Sequence, residues 1–133
     1  MRMEKQLSIF LENKPGALAD VCDALAAQSV NILALTVSDT VDHAVVRMVV
    51  DEPEKAAHLL GEAGVLVVEN EVLFMEVPNR PGSLAAIAGA MAEADLNIEY
   101  AYCTAGSDQA DGVLVLRTHH PADALNVLNE ESA

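Results

Sequence analysis

Apolar and polar residues alternate along about 5–12, which predicts a strand. Pro15 and Gly16 break the alternation, and proline suits the first turn of a helix. Over 17–28 the apolar residues recur at spacings of three and four. That spacing predicts an amphipathic helix, with Asp20 and Asp23 on its outer face. A second strand is expected over about 30–38, a turn at 39–42 and a nearly unbroken apolar strand over 44–50. Pro53 opens a second helix reaching about Ala63, Gly64 supplies a left-handed stop, and 65–68 reads as a fourth strand.

The pattern then starts again at Glu71. Asn13-Lys14-Pro15-Gly16-Ala17-Leu18 returns as Asn79-Arg80-Pro81-Gly82-Ser83-Leu84, an offset of 66 from position 13 to position 79. Val30-Asn31-Ile32 returns as Leu96-Asn97-Ile98 at the same offset. In the helix between, Leu18, Val21, Cys22 and Leu25 match Leu84, Ile87, Ala88 and Met91. Pro53 pairs with Pro121 at an offset of 68, which places a two-residue insertion near 105–111 of the second copy. This agreement in order and spacing is the mark of a duplication.

Each copy reads as βαββαβ, the ferredoxin-like arrangement, with both helices on one face of an antiparallel sheet. The fold class expected is α+β: two tandem ferredoxin-like modules, 1–70 and 71–133. The second copy has strands over about 96–104 and 112–118 and a helix from Pro121. After Leu128 only five mostly polar residues follow, so this copy lacks a clear last strand and one of its sheet edges calls for a neighbour.

With 133 residues, each half has about 65, near the lower limit for independent stability. A hydrophobic content of 52% with 3% aromatics makes a core of Ala, Val, Leu and Ile, well outside the disordered class. The net charge of −14 and the absence of a basic stripe argue against nucleic acid. Anionic membrane surfaces are disfavoured for the same reason, and no apolar run is long enough to span a bilayer. The start of the chain has no secretory apolar region, and Cys22 and Cys103 form no CxxC pair. Free thiols and a cytoplasmic location follow.

An anionic small molecule would have to be caught locally, against the long-range field. The repeated loop falls where a strand hands over to a helix. Its proline fixes the entry and its glycine lets a ligand come close to the backbone. The N–H groups of Gly16, Ala17 and Leu18 are expected to point out of the positive end of the helix dipole, a place for carboxylate or phosphate. Asn13 and Asn79 are candidates to orient the loop or donate a side-chain bond. Asn31 and Asn97 open the strand expected beside the first helix. The same residues also read as plain turn and helix-start chemistry, and a duplication preserves both readings alike. The copies diverge where Leu33-Ala34-Leu35-Thr36 is matched by Glu99-Tyr100-Ala101-Tyr102. Tyr100 and Tyr102 share a strand face, either lining a pocket with their hydroxyls or packing between sheets.

These motifs together resemble the ACT domain, a regulatory amino-acid-binding module, and more closely the small stand-alone bacterial proteins built of two ACT domains. The resemblance covers about 5–128. It is carried by the two Asn-Lys/Arg-Pro-Gly-Ala/Ser-Leu segments, with Asn31-Ile32 and Asn97-Ile98. It implies modules that pair side by side into an extended sheet, with an amino acid held at the module or chain interface, between the strand–helix loop and a neighbouring second strand. The implied ligand residues are Asn13, Lys14, Pro15, Gly16, Ala17, Leu18, Asn31 and Ile32, then Asn79, Arg80, Pro81, Gly82, Ser83, Leu84, Asn97 and Ile98, with Tyr100 beside them. ACT domains often carry an acidic residue where Asn13 and Asn79 stand; this chain carries neutral amides.

No nucleophile elbow, Walker loop, GxGxxG or HExxH occurs, and Asp39, His43 and Arg47 near one turn form no motif. His119 and His120 are adjacent on a strand and would point to opposite faces, and the other His and Cys share no chelating spacing. Neither an enzyme, a metal site nor a cofactor is expected. The reading is a cytoplasmic amino-acid sensor that signals through self-association, at least a homodimer, or through a separate effector protein. The alternative is an interaction adaptor that dimerises through its sheets and binds no ligand.

Overall fold

The computed structural model describes residues 1–40, 42–104 and 111–132. Its elements are β1 (Arg2–Glu12), α1 (Ala17–Ala27), β2 (Ile32–Asp39), β3 (His43–Val50), α2 (Pro53–Glu62), β4 (Leu66–Val77), α3 (Ser83–Glu93), β5 (Tyr100–Thr104), β6 (Gly112–Arg117) and α4 (Pro121–Ser132). The chain divides into two compact units, Lys5–Asn70 and Met1–Glu4 with Glu71–Ala133.

In the unit Lys5–Asn70 the strand order is β2-β3-β1-β4, with β1 antiparallel to β3 and β3 antiparallel to β2. Leu7 and Ile9 of β1, Met48 and Val50 of β3, Val21 and Leu25 of α1 and Ala56 and Leu60 of α2 form one buried cluster on the helix side. The other unit has the order β5-β6-β4-β1. Leu73 and Met75 of β4, Leu114 and Leu116 of β6, Met91 of α3 and Leu128 of α4 form its cluster. Both are the expected ferredoxin-like arrangement.

The last strand missing from the second copy is filled from the other end of the chain. Residues 2–4 of β1 belong to this unit, where the Arg2 guanidinium lies 4.6 Å from the centre of the Phe74 ring, a cation–π contact. The expected fourth strand and the strand after Glu71 are one 12-residue strand, β4. Glu69-Asn70-Glu71 reads as a polar break in the sequence, yet these residues lie within the ladder. Lys5 reaches Glu69 at 3.7 Å, and the Glu71 carbonyl accepts from Arg117 Nη1 at 2.8 Å.

Alternation places Gln6, Ser8 and Val49 on the sheet face away from the helices in one unit, and Val72, Phe74 and Val115 on that face in the other. All six are buried. The sheet edge of the second copy that calls for a neighbour is met by residues 2–4.

Strand registers date the insertion in the repeat. Ser38 faces Val45 as Thr104 faces Val113, so the offset changes from 66 to 68 between Thr104 and Gly112. Residues 105–110, the stretch that holds the two-residue insertion, lie outside the described residues. The same registers make Val50 the counterpart of Thr118.

Three helices end alike. The N–H groups of Ser29 and Val30 bond to Ala26 and Leu25, those of Gly64 and Val65 to Gly61 and Leu60, and those of Asp95 and Leu96 to Ala92 and Met91, at 2.9–3.0 Å. This is the Schellman pattern, and the apolar residue that follows each left-handed position packs back on its own helix. Gly64 takes the left-handed position as expected. Ser29 and Asp95 take it at φ 60° and 56°, against the preference of L-residues.

Two stability predictions follow from these positions. Ser29→Gly relieves the left-handed strain and raises the unfolding free energy by about 0.5–1 kcal/mol in urea titrations. Thr118 is 1% exposed and its hydroxyl has no partner, whereas Val50 fills the same place in the first copy. Thr118→Val is therefore expected to add about 1 kcal/mol, seen as a higher urea midpoint with an unchanged slope.

Candidate functional site

The repeated loop has the same backbone course in both copies. The Lys14 N–H bonds to the Glu12 carbonyl and the Arg80 N–H to the Pro78 carbonyl, each at 3.0 Å. These bonds close a three-residue turn around Asn13 and Asn79 at the end of the strand. A four-residue turn follows, in which Ala17 N–H reaches the Lys14 carbonyl at 3.4 Å and Ser83 N–H the Arg80 carbonyl at 3.3 Å. Its third residue is Gly16, with φ 89° and ψ −17°, or Gly82, with φ 91° and ψ −13°. Proline second and glycine third at positive φ make a type II turn.

Two expectations change here. Pro15 and Pro81 sit in the turn ahead of the helix, because α1 and α3 begin at Ala17 and Ser83. The glycines are required by their own backbone, since a Cβ at Gly16 or Gly82 would meet nothing within 4 Å. The turn chemistry is therefore real, whatever else the loop does. Of the three N–H groups expected to face a ligand, one in each copy closes the turn. Gly16 and Leu18 remain as donors in one copy, Gly82 and Leu84 in the other. No side chain caps either helix start.

The two loops face different surroundings. In the unit Lys5–Asn70, Lys14 and Ala17 join Glu12, Asp20, Val21 and the end of α2 around a cleft of about 390 Å³. Lys14 is paired there with Glu12 at 3.2 Å. In the other unit, Asn79, Arg80, Ser83 and Leu84 line a cleft of about 140 Å³ with Cys103 and Thr104 of β5 and Gly112 and Val113 of β6. Among the described residues Arg80 is the one charged residue on this lining, and Pro78 stands where the first copy has Glu12.

The Asn-Ile pairs do not join the loop of their own unit. The strand–helix loop is at the N-terminal end of an 11-residue helix, and Asn31 or Asn97 follows its C-terminal end, about 16 Å away. Asn31 serves the backbone instead. Its N–H donates to the Asp51 carboxylate at 2.9 Å and its carbonyl accepts from Asp51 N–H at 3.0 Å, which ties the start of β2 to the end of β3. Position 119 is His where the first copy has Asp51, and there Glu99 N–H bonds to the Arg117 carbonyl at 2.9 Å. Asn97 is exposed; Ile32 and Ile98 pack against the cores of their units. Tyr100 and Tyr102 are half-buried, on the face of β5 away from the helices.

The strand residues that do meet the loop are those at the far end of β5, and sequence reasoning passed over them. The signal was the topology itself: a strand returning antiparallel beside a helix brings its last residues back to the start of that helix. Among the described residues no three His, Cys, Asp or Glu side chains gather as metal ligands, and no helix is long and apolar enough to cross a membrane.

The chain matches the model of the ACT domain pair over residues 1–132. A crystal structure of a protein from Bacteroides thetaiotaomicron is similar at 34% identity, with 98% of this chain and 89% of that one covered and a TM-score of 0.91. The ligand-free regulatory subunit of aspartate kinase from Thermus thermophilus superimposes with a TM-score of 0.70 at 16% identity, covering 98% of this chain and 97% of that one. Aspartate kinase from Synechocystis does so at 0.62 and 20% identity, over 96% of this chain and 25% of the larger enzyme. No curated protein matches the chain significantly.

The type II turn generates a prediction free of any ligand. Gly82→Ala leaves room for its methyl group and strains only φ, so it costs about 1–2 kcal/mol in equilibrium unfolding of the unliganded protein. A cost near zero would mean that the turn relaxes and that its geometry does not depend on glycine.

Proposed function

The chain belongs to the ACT domain pair family, and on that premise we propose that it is a regulatory protein that binds an amino acid. The observation that carries this reading is the loop cleft of the second unit. Asn79, Arg80 and Ser83 stand there at a helix start that no side chain caps, and an apolar wall of Val77, Leu84 and Val113 adjoins them. A carboxylate meets a guanidinium and the positive end of α3 there, while the carbon part of the molecule has apolar surface to cover. The repeated loop supports a related role for Lys14 and Ala17 in the first unit. Of the other residues implied by the resemblance, Pro15, Pro81, Gly16 and Gly82 shape the turn that presents these groups.

A regulatory and non-catalytic role is in keeping with the family and with the regulatory subunit whose fold this chain shares. The signal would pass by population shift: a ligand that binds one assembly, or one partner-competent state, better than another favours that state. At 100 times its dissociation constant such a ligand adds about 2.7 kcal/mol to the state it prefers. Self-association through at least a dimer and a separate effector protein are the two outputs this reading allows. The unpaired Cys22 and Cys103 suit a reducing cytoplasm.

A thermal-shift screen of the purified chain against the twenty amino acids, with nucleotides and divalent metals as controls, tests the proposal. A rise in melting temperature with one amino acid or a few related ones is expected. A flat response to all twenty would remove the sensor reading and leave the ligand-free adaptor; a response to metal alone would replace it with a metal-binding one.

A further inference from the structure

We propose that the second unit selects a small carboxylic acid with an aliphatic side chain, of leucine size, and that the first unit does not take it. The inference rests on the amino-acid-binding reading above and narrows both its ligand and its place.

A slot of about 220 Å³ opens between α3 and the edge strand β5, on the helix side of the second unit. Leu84 and Ala88 form one wall, Ile98, Ala101 and Cys103 the other, and the buried Leu114 and Leu116 lie at its base. None of its lining residues is charged.

The slot exists because the two copies differ in bulk at matched positions. Ala101 pairs with Leu116 across the sheet as Leu35 pairs with Met48, so Ala101 stands where the first copy has Leu35. By the same registers Cys103 stands in place of Val37, and in the helix Ala88 matches Cys22. In the first unit Leu18, Ile32 and Leu35 pack against the core and close this space. In the second, nothing of Leu35's size among the described residues covers Leu84, which is 49% exposed. Elsewhere a buried gap of this kind is a cost in stability. Here it opens to solvent at an edge strand, as an apolar recess that a ligand's side chain can fill.

The slot adjoins the loop cleft, and both are lined by Leu84 and Cys103. A single small molecule can place its carboxylate at Arg80 and its aliphatic chain over Ala101. Charge divergence points the same way as bulk. Among the described residues Arg80 makes no ion pair, whereas its counterpart Lys14 is held 3.2 Å from Glu12. Replacing that acid by Pro78 leaves the guanidinium for an external carboxylate, in a chain whose net charge is −14. Among the described residues the cleft lining carries no acid. Leucine and its deaminated 2-oxo acid share the recognised chemistry.

The test is calorimetric titration of the full chain with leucine, with 4-methyl-2-oxopentanoate, and with aspartate, lysine and threonine. Binding of leucine, the oxo acid or both at one molecule per chain, with the three polar amino acids at least about tenfold weaker, is the expected result. Ala101→Leu, which restores the first copy's residue, is expected to weaken binding at least about tenfold while the circular dichroism spectrum is kept. Ala88→Leu fills the slot from the helix side and should do the same, so a folding defect in one variant leaves the other to decide. Leu35→Ala in the first unit should leave affinity and stoichiometry unchanged. Unaltered leucine affinity in both filled variants, or two molecules per chain, would overturn the proposal. Binding of a polar amino acid without leucine or the oxo acid would overturn it while the broader sensor reading survived, and binding of none would remove both.

Discussion

A β-strand at the centre of a small antiparallel sheet must have both of its edges paired, and that requirement governs each unit here. In a ferredoxin-like module the first strand is central, flanked by the third strand on one side and the fourth on the other. In the unit Lys5–Asn70, β1 has β3 on one side and the first residues of β4 on the other. In the second unit, β4 has β6 on one side, and its other neighbour comes from residues 2–4 of β1, because α4 is followed by no further described strand. Each unit thus has four strands beneath two helices. With a core of Leu, Val, Ile and Met and few aromatics, neither has apolar area to spare for an unpaired edge.

Backbone devices repeat between the copies more faithfully than side chains do. The three-residue turn at Asn13 and Asn79, the type II turn at Pro-Gly and the Schellman ends after α1 and α3 occupy matched positions with nearly matched angles. All depend on local hydrogen bonds, so they constrain one or two residues each and leave the neighbours free. Divergence is concentrated in those neighbours: Glu12 to Pro78, Lys14 to Arg80, Leu35 to Ala101, Asp51 to His119. Two recognition surfaces can therefore arise on one frame without disturbing the turns that hold them.

Much of this was legible in the sequence. The duplication, the element order and the left-handed Gly64 all followed from periodicity and turn residues, because those are local signals. The Pro-Gly element was legible as punctuation, but its role shifted from opening the helix to forming the turn before it. Helix starts and type II turns favour the same residues, and only φ separates them. The fusion of two expected strands into β4 was not legible, since Glu69-Asn70-Glu71 has the composition of a linker and is held in the ladder by partners distant in sequence. The strand borrowed from residues 2–4 was hidden for the same reason. At the site, Asn31 and Asn97 lie a helix length from the loop of their own copy, whereas Cys103 and Thr104, unremarkable as residue types, arrive beside the loop by topology alone.

On the proposed function, charge decides which end of a small ligand the second unit would read. A chain of net charge −14 repels an approaching anion at long range, so capture has to come from groups acting within a few ångströms. Lys14 and Arg80 are equivalent in sequence but not in availability. The first shares its charge with Glu12 and has Asp20 on the same cleft, so the local field there is acidic on balance. The second has neither acid, since Pro78 and Ala86 occupy those positions. A guanidinium also presents a planar pair of donors that fits a carboxylate, which an ammonium does not. The same two substitutions that remove negative charge around Arg80 add no steric bulk to the neighbouring slot. Anion selectivity and apolar selectivity can thus be set independently, one by the residues that precede and open α3, the other by the residues of β5.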